Sequence, residues 1–233
     1  MGAIESIDLH VARLLPGANG VTLRRLREEA RKRTFLRREV LHASGGHLPP
    51  FLMIDGHAMT RRVAETGQVR GALIAGPGYL GGLRSISDPD GEAFYELVAL
   101  SDGMWATWEP GFVRELALRD AGLAVDLLDL SSEFAVVLDV RLDERSFESA
   151  RQRLAAILTR YGNVIFDTPH PVAERADLAA MLGTSRVMMY RALHGLEADG
   201  LIERQRGGGI NILDKKRLAS LMTVEPPDGA PQL

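Results

Sequence analysis

Cysteine is absent from this chain, which excludes disulfides, thiolate metal sites and cysteine-ligated iron–sulfur clusters. No apolar run approaches the ~18 residues that cross a bilayer, and the N-terminus lacks a signal-peptide pattern. A cytoplasmic protein without membrane contact is expected. Also missing are the glycine-rich phosphate loop ending in Gly-Lys-[Ser/Thr], a nucleophile elbow and a His-Glu-x-x-His motif. No enzyme activity, cofactor or metal site is therefore expected. Asp88-Pro-Asp-Gly91 invites a calcium reading but lacks the remaining ligands at loop spacing, and reads as a β-turn. The histidines (His10, His42, His47, His57, His170 and His194) are scattered. A histidine-ligated haem stays open, but no spacing selects it.

What is present fits a globular protein. At 233 residues, 45% hydrophobic and 25% charged, the chain has the composition of a globular protein and length for two cores. A net charge of −3 looks unfavourable for a nucleic-acid binder until the charges are located. Residues 111–145 hold 4 Arg/Lys and 8 Asp/Glu, whereas 172–217 hold 8 and 6. The acidity is central and the C-terminal end is mildly basic, and the local footprint is what a polyanion meets.

That basic end carries the most specific pattern. Leu178, Met181 and Leu182 recur at helical spacing. Gly183 stands where a first helix must stop with positive φ, and Thr184 or Ser185 offers an oxygen to cap the next. Met189, Ala192, Leu193 and Leu196 continue the buried stripe, leaving Arg186, Val187, Tyr190, Arg191 and His194 outward. Two short apolar runs, Leu201-Ile-Glu-Arg-Gln-Arg206 and Ile210-Asn-Ile-Leu213, flank a glycine triplet and predict a hairpin wing. Helix, turn, helix and wing together predict a domain that lays its second helix in the DNA major groove. Arg186 and Arg191 are candidates for guanine edges. Thr184, Ser185, Val187, Tyr190, His194, Arg204 and Arg206 are candidates for further base or phosphate contacts.

Asp177-Leu-Ala-Ala-Met-Leu-Gly-Thr-Ser-Arg186, Arg191-Ala-Leu, Leu196-Glu-Ala-Asp-Gly-Leu-Ile202 and Gly207-Gly-Gly-Ile-Asn-Ile-Leu-Asp214 resemble the C-terminal domain of Crp/Fnr (cyclic-AMP receptor type) regulators. GntR-type winged helices share much of this pattern but usually carry it at the N-terminus. The resemblance implies an α+β fold with an N-terminal β-roll of the cyclic-nucleotide-binding kind, a long dimerisation helix and a C-terminal winged helix. It also implies a homodimer on a near-palindromic double-stranded DNA site, with RNA polymerase as a candidate partner. The corresponding domains are 1–110, 111–142 and 143–225, followed by a proline-rich tail at 226–233. Relatives that bind cyclic AMP carry a Gly-Glu pair for the ribose and an Arg-Ser or Arg-Thr pair for the phosphate. Here Leu83 follows Gly82, and Ala93-Phe94 falls where the arginine is expected. Arg84 is the nearest guanidinium, and the effector is unknown. Val187 takes the slot of a glutamate that accepts from cytosine in those relatives.

The rest of the chain is read from periodicity. Val21–Arg33 predicts a basic helix with a solvated face. Short runs at 39–41, 51–54, 71–75, 95–100 and 104–108, separated by glycine turns, predict a β-sandwich, barrel or roll. Gly111–Asp120 predicts a short helix. Leu123, Leu127, Leu130, Phe134 and Val137, amid Asp126, Asp129, Glu133 and Asp139, form a heptad seam and the candidate dimer interface. A helix opened by Asp143 or Ser146 is expected over Phe147–Tyr161. The alternative to a DNA regulator is a small-molecule or haem sensor whose main output is not DNA binding.

Overall fold

The computed structural model describes residues 3–67, 69–166 and 172–223. His170 and the 226–233 tail lie outside them. The chain forms two compact units, one from 1–62 with 73–134 and the other from 63–72 with the chain from 135 onward.

The first unit opens with helices α1 (Ala3–Leu14) and α2 (Gly20–Glu28). Asn19 starts α2 by accepting from the backbone N–H groups of Val21 and Thr22, each at 3.0 Å. The helix expected through Arg33 stops at Glu28, and Arg31–Phe35 is strand β1. There Arg31 to Phe35 pair one for one with β8 (Gly103–Thr107), so the sheet ladder overrides the helix propensity of arginine and lysine. The remaining strands are β2 (Val40–His42), β3 (Phe51–Asp55), β4 (Ala58–Val63), β5 (Val69–Ala75), β6 (Leu80–Gly81) and β7 (Glu96–Ala99). They form two four-stranded sheets, β1-β8-β3-β6 and β2-β7-β4-β5, whose described pairings are antiparallel.

Strand β3 shows why its sequence is apolar at successive positions. Phe51 and Met53 enter a core shared with Leu97, Ala99 and Trp105. Leu52 and Ile54, on the other face, pack with Ile7, Val11 and Leu26 of the first two helices. A strand covered on both faces has no use for alternation.

Helix α3 (Arg84–Ser87) is a single turn, and α4 (Pro110–Arg119) fulfils the short helix expected there. Helix α5 (Ala121–Phe147) has 27 residues, about 40 Å at the usual rise. Its acidic N-terminal part is structural. Asp126 Oδ2 accepts from the backbone N–H of Gly17 at 2.9 Å and of Ala18 at 3.0 Å. Asp120 Oδ2 accepts from Asn19 through its backbone N (2.9 Å) and its Nδ2 (2.7 Å). Hydrogen bonds, first from Thr22 and then from Asn19, hold the Asp120 carboxyl below its ordinary pKa.

In the second unit α5 runs to Phe147, so the next helix starts later than expected. Ser149, in extended conformation, caps α6 (Ala150–Tyr161) and exchanges hydrogen bonds with Gln152. A π-helical turn (Gly162–Phe166) follows, then α7 (Arg175–Leu182), α8 (Arg186–Ala198), β9 (Ile202–Arg204), β10 (Ile210–Ile212) and α9 (Lys215–Ala219). Leu154, Leu158, Leu178, Met189, Leu193 and Ile210 are each fully buried in this unit. The architecture is α+β: a β-roll with helices, a long helix and a winged helix-turn-helix.

Candidate nucleic-acid interface

The turn between α7 and α8 is fixed by two residues. Gly183 adopts φ 63°, a conformation that strains residues with a side chain. Its N–H and that of Thr184 donate to Ala180 O and Ala179 O, at 3.1 and 3.3 Å. Ser185, not Thr184, caps α8, its Oγ accepting from Met188 N at 3.3 Å. Met189, Ala192, Leu193 and Leu196 are buried, which rotates Arg186, Val187, Tyr190, Arg191 and His194 into solvent, with Ser185 exposed beside them and Thr184 half-buried. From Arg186 to His194 this face rises about 12 Å, enough to cross several base pairs.

The exposed face is poorly neutralised. Among the described residues Arg186 and Arg206 have no protein hydrogen bond or ion pair, and Arg191 Nη1 meets only Met188 Sδ, at 3.8 Å. Met188 itself is exposed on this face. The wing is a two-stranded antiparallel hairpin that pairs Ile210 with Arg204 and Ile212 with Ile202. Gln205 N donates to Gly209 O at 3.0 Å to close it, and Arg206 stands exposed in the turn.

Arg204 differs from its expected role. Its Nε donates to Glu197 Oε2 at 2.8 Å and its backbone N to Oε1 at 3.1 Å. These bonds lower the Glu197 pKa and raise that of Arg204. The guanidinium braces the wing against α8, so a phosphate there would share it with Glu197. Arg175 is a residue that spacing alone does not single out. It sits half-buried at the start of α7, with Nη2 donating to Gly209 O at 3.4 Å, and burial first of all lowers its pKa. Its one signal in the sequence is an arginine in the first turn of the first helix of the motif.

In the β-roll, aromatic side chains pack together in the core, with Phe51 centred 5.9 Å from Tyr79 and 5.4 Å from Trp105. Arg84 is occupied locally. It donates to Glu92 O at 3.2 Å and Asp88 Oδ2 at 3.0 Å, and its guanidinium lies 5.4 Å from the Phe94 ring centre.

The α5 seam needs correction. Leu123 is fully buried, with Leu127 and Leu130 packed against the same core, so this part of the stripe serves its own fold. Phe134 and Val137 are half-buried. Exposed apolar residues also lie off that stripe: Val125, Leu128, Ala135, Val136, Leu138 and Leu142 are open to solvent, with Val125, Leu128, Ala135 and Leu142 forming an outward row. Asp126, expected to flank the dimer seam, is buried.

Comparison with known proteins places this geometry. Residues 152–221 match the Crp-like helix-turn-helix domain. The Cyclic AMP receptor protein of Thermus thermophilus is 33% identical over 160 residues, 65% of this chain and 69% of that protein. Among solved structures, FixK2 from Bradyrhizobium japonicum superposes with a TM-score of 0.73 at 16% identity, covering 84% of this chain and 98% of that one. A CRP/FNR-family transcriptional regulator from Thermus thermophilus gives 0.60 at 21% identity, covering 82% and 97%. At those identities the structures speak for the fold, and the sequence relationship carries the rest. The chain belongs to the Crp/Fnr family of DNA-binding transcription regulators.

Proposed function

We propose that the chain acts as a homodimer that reads a near-palindromic DNA site with the exposed face of α8 and does so without cyclic AMP. The observation that carries this reading is Arg186, exposed in the first turn of α8 and without a protein partner among the described residues. A free guanidinium can donate two bonds to guanine O6 and N7. Arg191 is the second candidate for a guanine, and Val187 offers apolar contact to a thymine methyl. Ser185, Thr184, Tyr190, His194 and Arg206 supply backbone or edge contacts. Arg175, beside the wing, replaces Arg204 as the candidate for a phosphate there.

Two copies are needed to read a palindrome, with half-site centres about 34 Å apart. The outward stripe of α5, at Val125, Leu128, Ala135 and Leu142, is the surface we assign to that pairing. RNA polymerase remains the partner through which such a dimer would act on transcription.

Arg186→Ala tests the readout. Binding to a site selected in vitro weakens by roughly 1–3 kcal/mol per half-site, and preference at one base pair per half-site relaxes. Arg206→Ala, a backbone contact, weakens all sequences alike and lowers the salt dependence. Undiminished base preference in Arg186→Ala removes that residue from the readout.

A further inference from the structure

Within the first unit, α3, α4 and α5 surround a recess of about 350 Å³. Leu83 and Ile86 form one wall, Ala117 and Leu118 of α4 the second, and Ala124 and Leu127 of α5 the third. Its volume lies at the small end of ligand pockets. A single helical turn with its side chains, a cylinder about 10 Å across and 5.4 Å long, takes roughly 420 Å³. The recess therefore suits a small molecule or one side chain, not a docked helix. Behind it, Leu83, Ile86 and Leu127 also line an enclosed apolar cavity of about 20 Å³. An apolar void of this kind stays dry, and its walls lack contacts on one side. Those three side chains can thus yield inward when something apolar presses on them.

The polar groups of the recess narrow the ligand further. Arg114 is the one charged side chain in the lining among the described residues. Its Nη1 donates to Ile86 O at 3.2 Å and Ser87 O at 3.3 Å, both neutral, and it has no ion pair among the described residues. The surrounding carboxylates are engaged elsewhere. Asp88 pairs with Arg84 at 3.0 Å, Glu115 with Arg119 at 2.9 Å, and Asp126 takes the backbone N–H groups of Gly17 and Ala18. Asp129 of α5 is outside the lining. The two hydroxyls in the lining are also spent: Ser87 Oγ donates to Arg84 O at 2.9 Å and Ser131 Oγ to Leu127 O at 2.8 Å. A ligand thus meets one guanidinium and otherwise apolar surface. The sugar and base of a nucleotide would lie against leucines with their polar groups unpaired. A hydrocarbon tail gains from the same surface, and a carboxylate matches the guanidinium fork.

We propose that this recess binds a small apolar carboxylate of the medium-chain fatty acid class. Arg114 holds the carboxylate, and Leu83, Ile86 and Leu127 receive the tail. The site is separate from the DNA-reading face. Leu128, on the rim, also belongs to the row assigned to pairing, so the test uses Arg114 and Ala124 instead.

Thermal unfolding of the full chain, titrated with octanoate and with 1-octanol, tests the site, each protein being compared with its own ligand-free Tm. Octanoate raises the parent Tm by a few degrees at millimolar concentration. It binds tighter than octanol by roughly fivefold, the contribution of one partly exposed ion pair. Arg114→Gln retains a donor for Ile86 O but no charge, so octanoate falls to the level of octanol while octanol itself binds as before. Ala124→Phe, at an exposed position of α5, fills the recess and removes the response to both. No rise in the parent overturns the proposal, whether the recess stays empty or a side chain of a second copy fills it. A rise that persists in Ala124→Phe places the ligand elsewhere and overturns it too. An octanoate preference that survives Arg114→Gln overturns the role of Arg114.

Discussion

Val187, 62% exposed in the first turn of α8, stands in our proposed register where cyclic-AMP-type relatives carry a glutamate. A valine cannot accept a hydrogen bond, so it gains nothing from a cytosine amino group but can touch a thymine methyl. Val187→Glu introduces an acceptor at an exposed position without disturbing Met189 or Leu193 below. Selection of DNA sites in vitro should then shift one base pair per half-site toward cytosine, while the parent site loses roughly 1–3 kcal/mol. If the selected base at that position does not change, the register of the helix in the groove is wrong. Residues of this kind are legible in sequence because Gly183 and the buried stripe fix the rotation of α8. Arg204 is not, because nothing in sequence spacing says that Glu197 lies within 2.8 Å of it. Arg175 escapes for the same reason: its neighbour Gly209 is 34 positions away.

Among elements, α5 shows most clearly what periodicity reveals and what it hides. A heptad stripe announces a helix with a buried side, and the helix is there, yet the stripe cannot say what buries it. Leu123, Leu127 and Leu130 face their own core, while a second stripe, broken by Ser131 and Ser132, stays in solvent. The basic run at 31–33 misleads in the opposite way, because its pairing with β8 is a long-range fact. The strands that periodicity predicts carry apolar runs between glycine turns. The edge strand β1, the short β6 and β4, with Arg61 and Arg62 in its second half, do not. Leu128→Glu separates the two faces of α5. Leu128 is 65% exposed, so the protomer folds as before, but a carboxylate in a paired apolar seam costs several kcal/mol. Sedimentation should show a monomer with much weakened operator binding. A Leu128→Glu protein that stays dimeric takes the outward stripe out of the interface and returns the question to Phe134 and Val137.

At the scale of the whole molecule, the distribution of charge and of internal space decides what can control the regulator. A cyclic nucleotide brings a charged phosphate that must be paired on leaving water, and an unpaired buried charge costs several kcal/mol. Around the β-roll, Arg84 is already bonded to Asp88 and Glu92, and in the core Phe51 packs against Tyr79 and Trp105. The apolar cavity between the helices and β3 measures about 20 Å³ and holds no nucleotide. A shallow groove of about 350 Å³ beside α4 and α5 has Arg114 as the one charged side chain in its lining among the described residues, and that arginine donates to the carbonyls of Ile86 and Ser87. We therefore expect millimolar cyclic AMP to leave both Tm and operator affinity unchanged. A ligand at a thousand times its Kd adds about 4 kcal/mol, so micromolar binding would be evident in a melting curve. Protein stripped of small molecules should still bind its operator tightly. Saturable, cyclic-AMP-dependent operator binding by that preparation would place the nucleotide in the β-roll and end this account of the sensor.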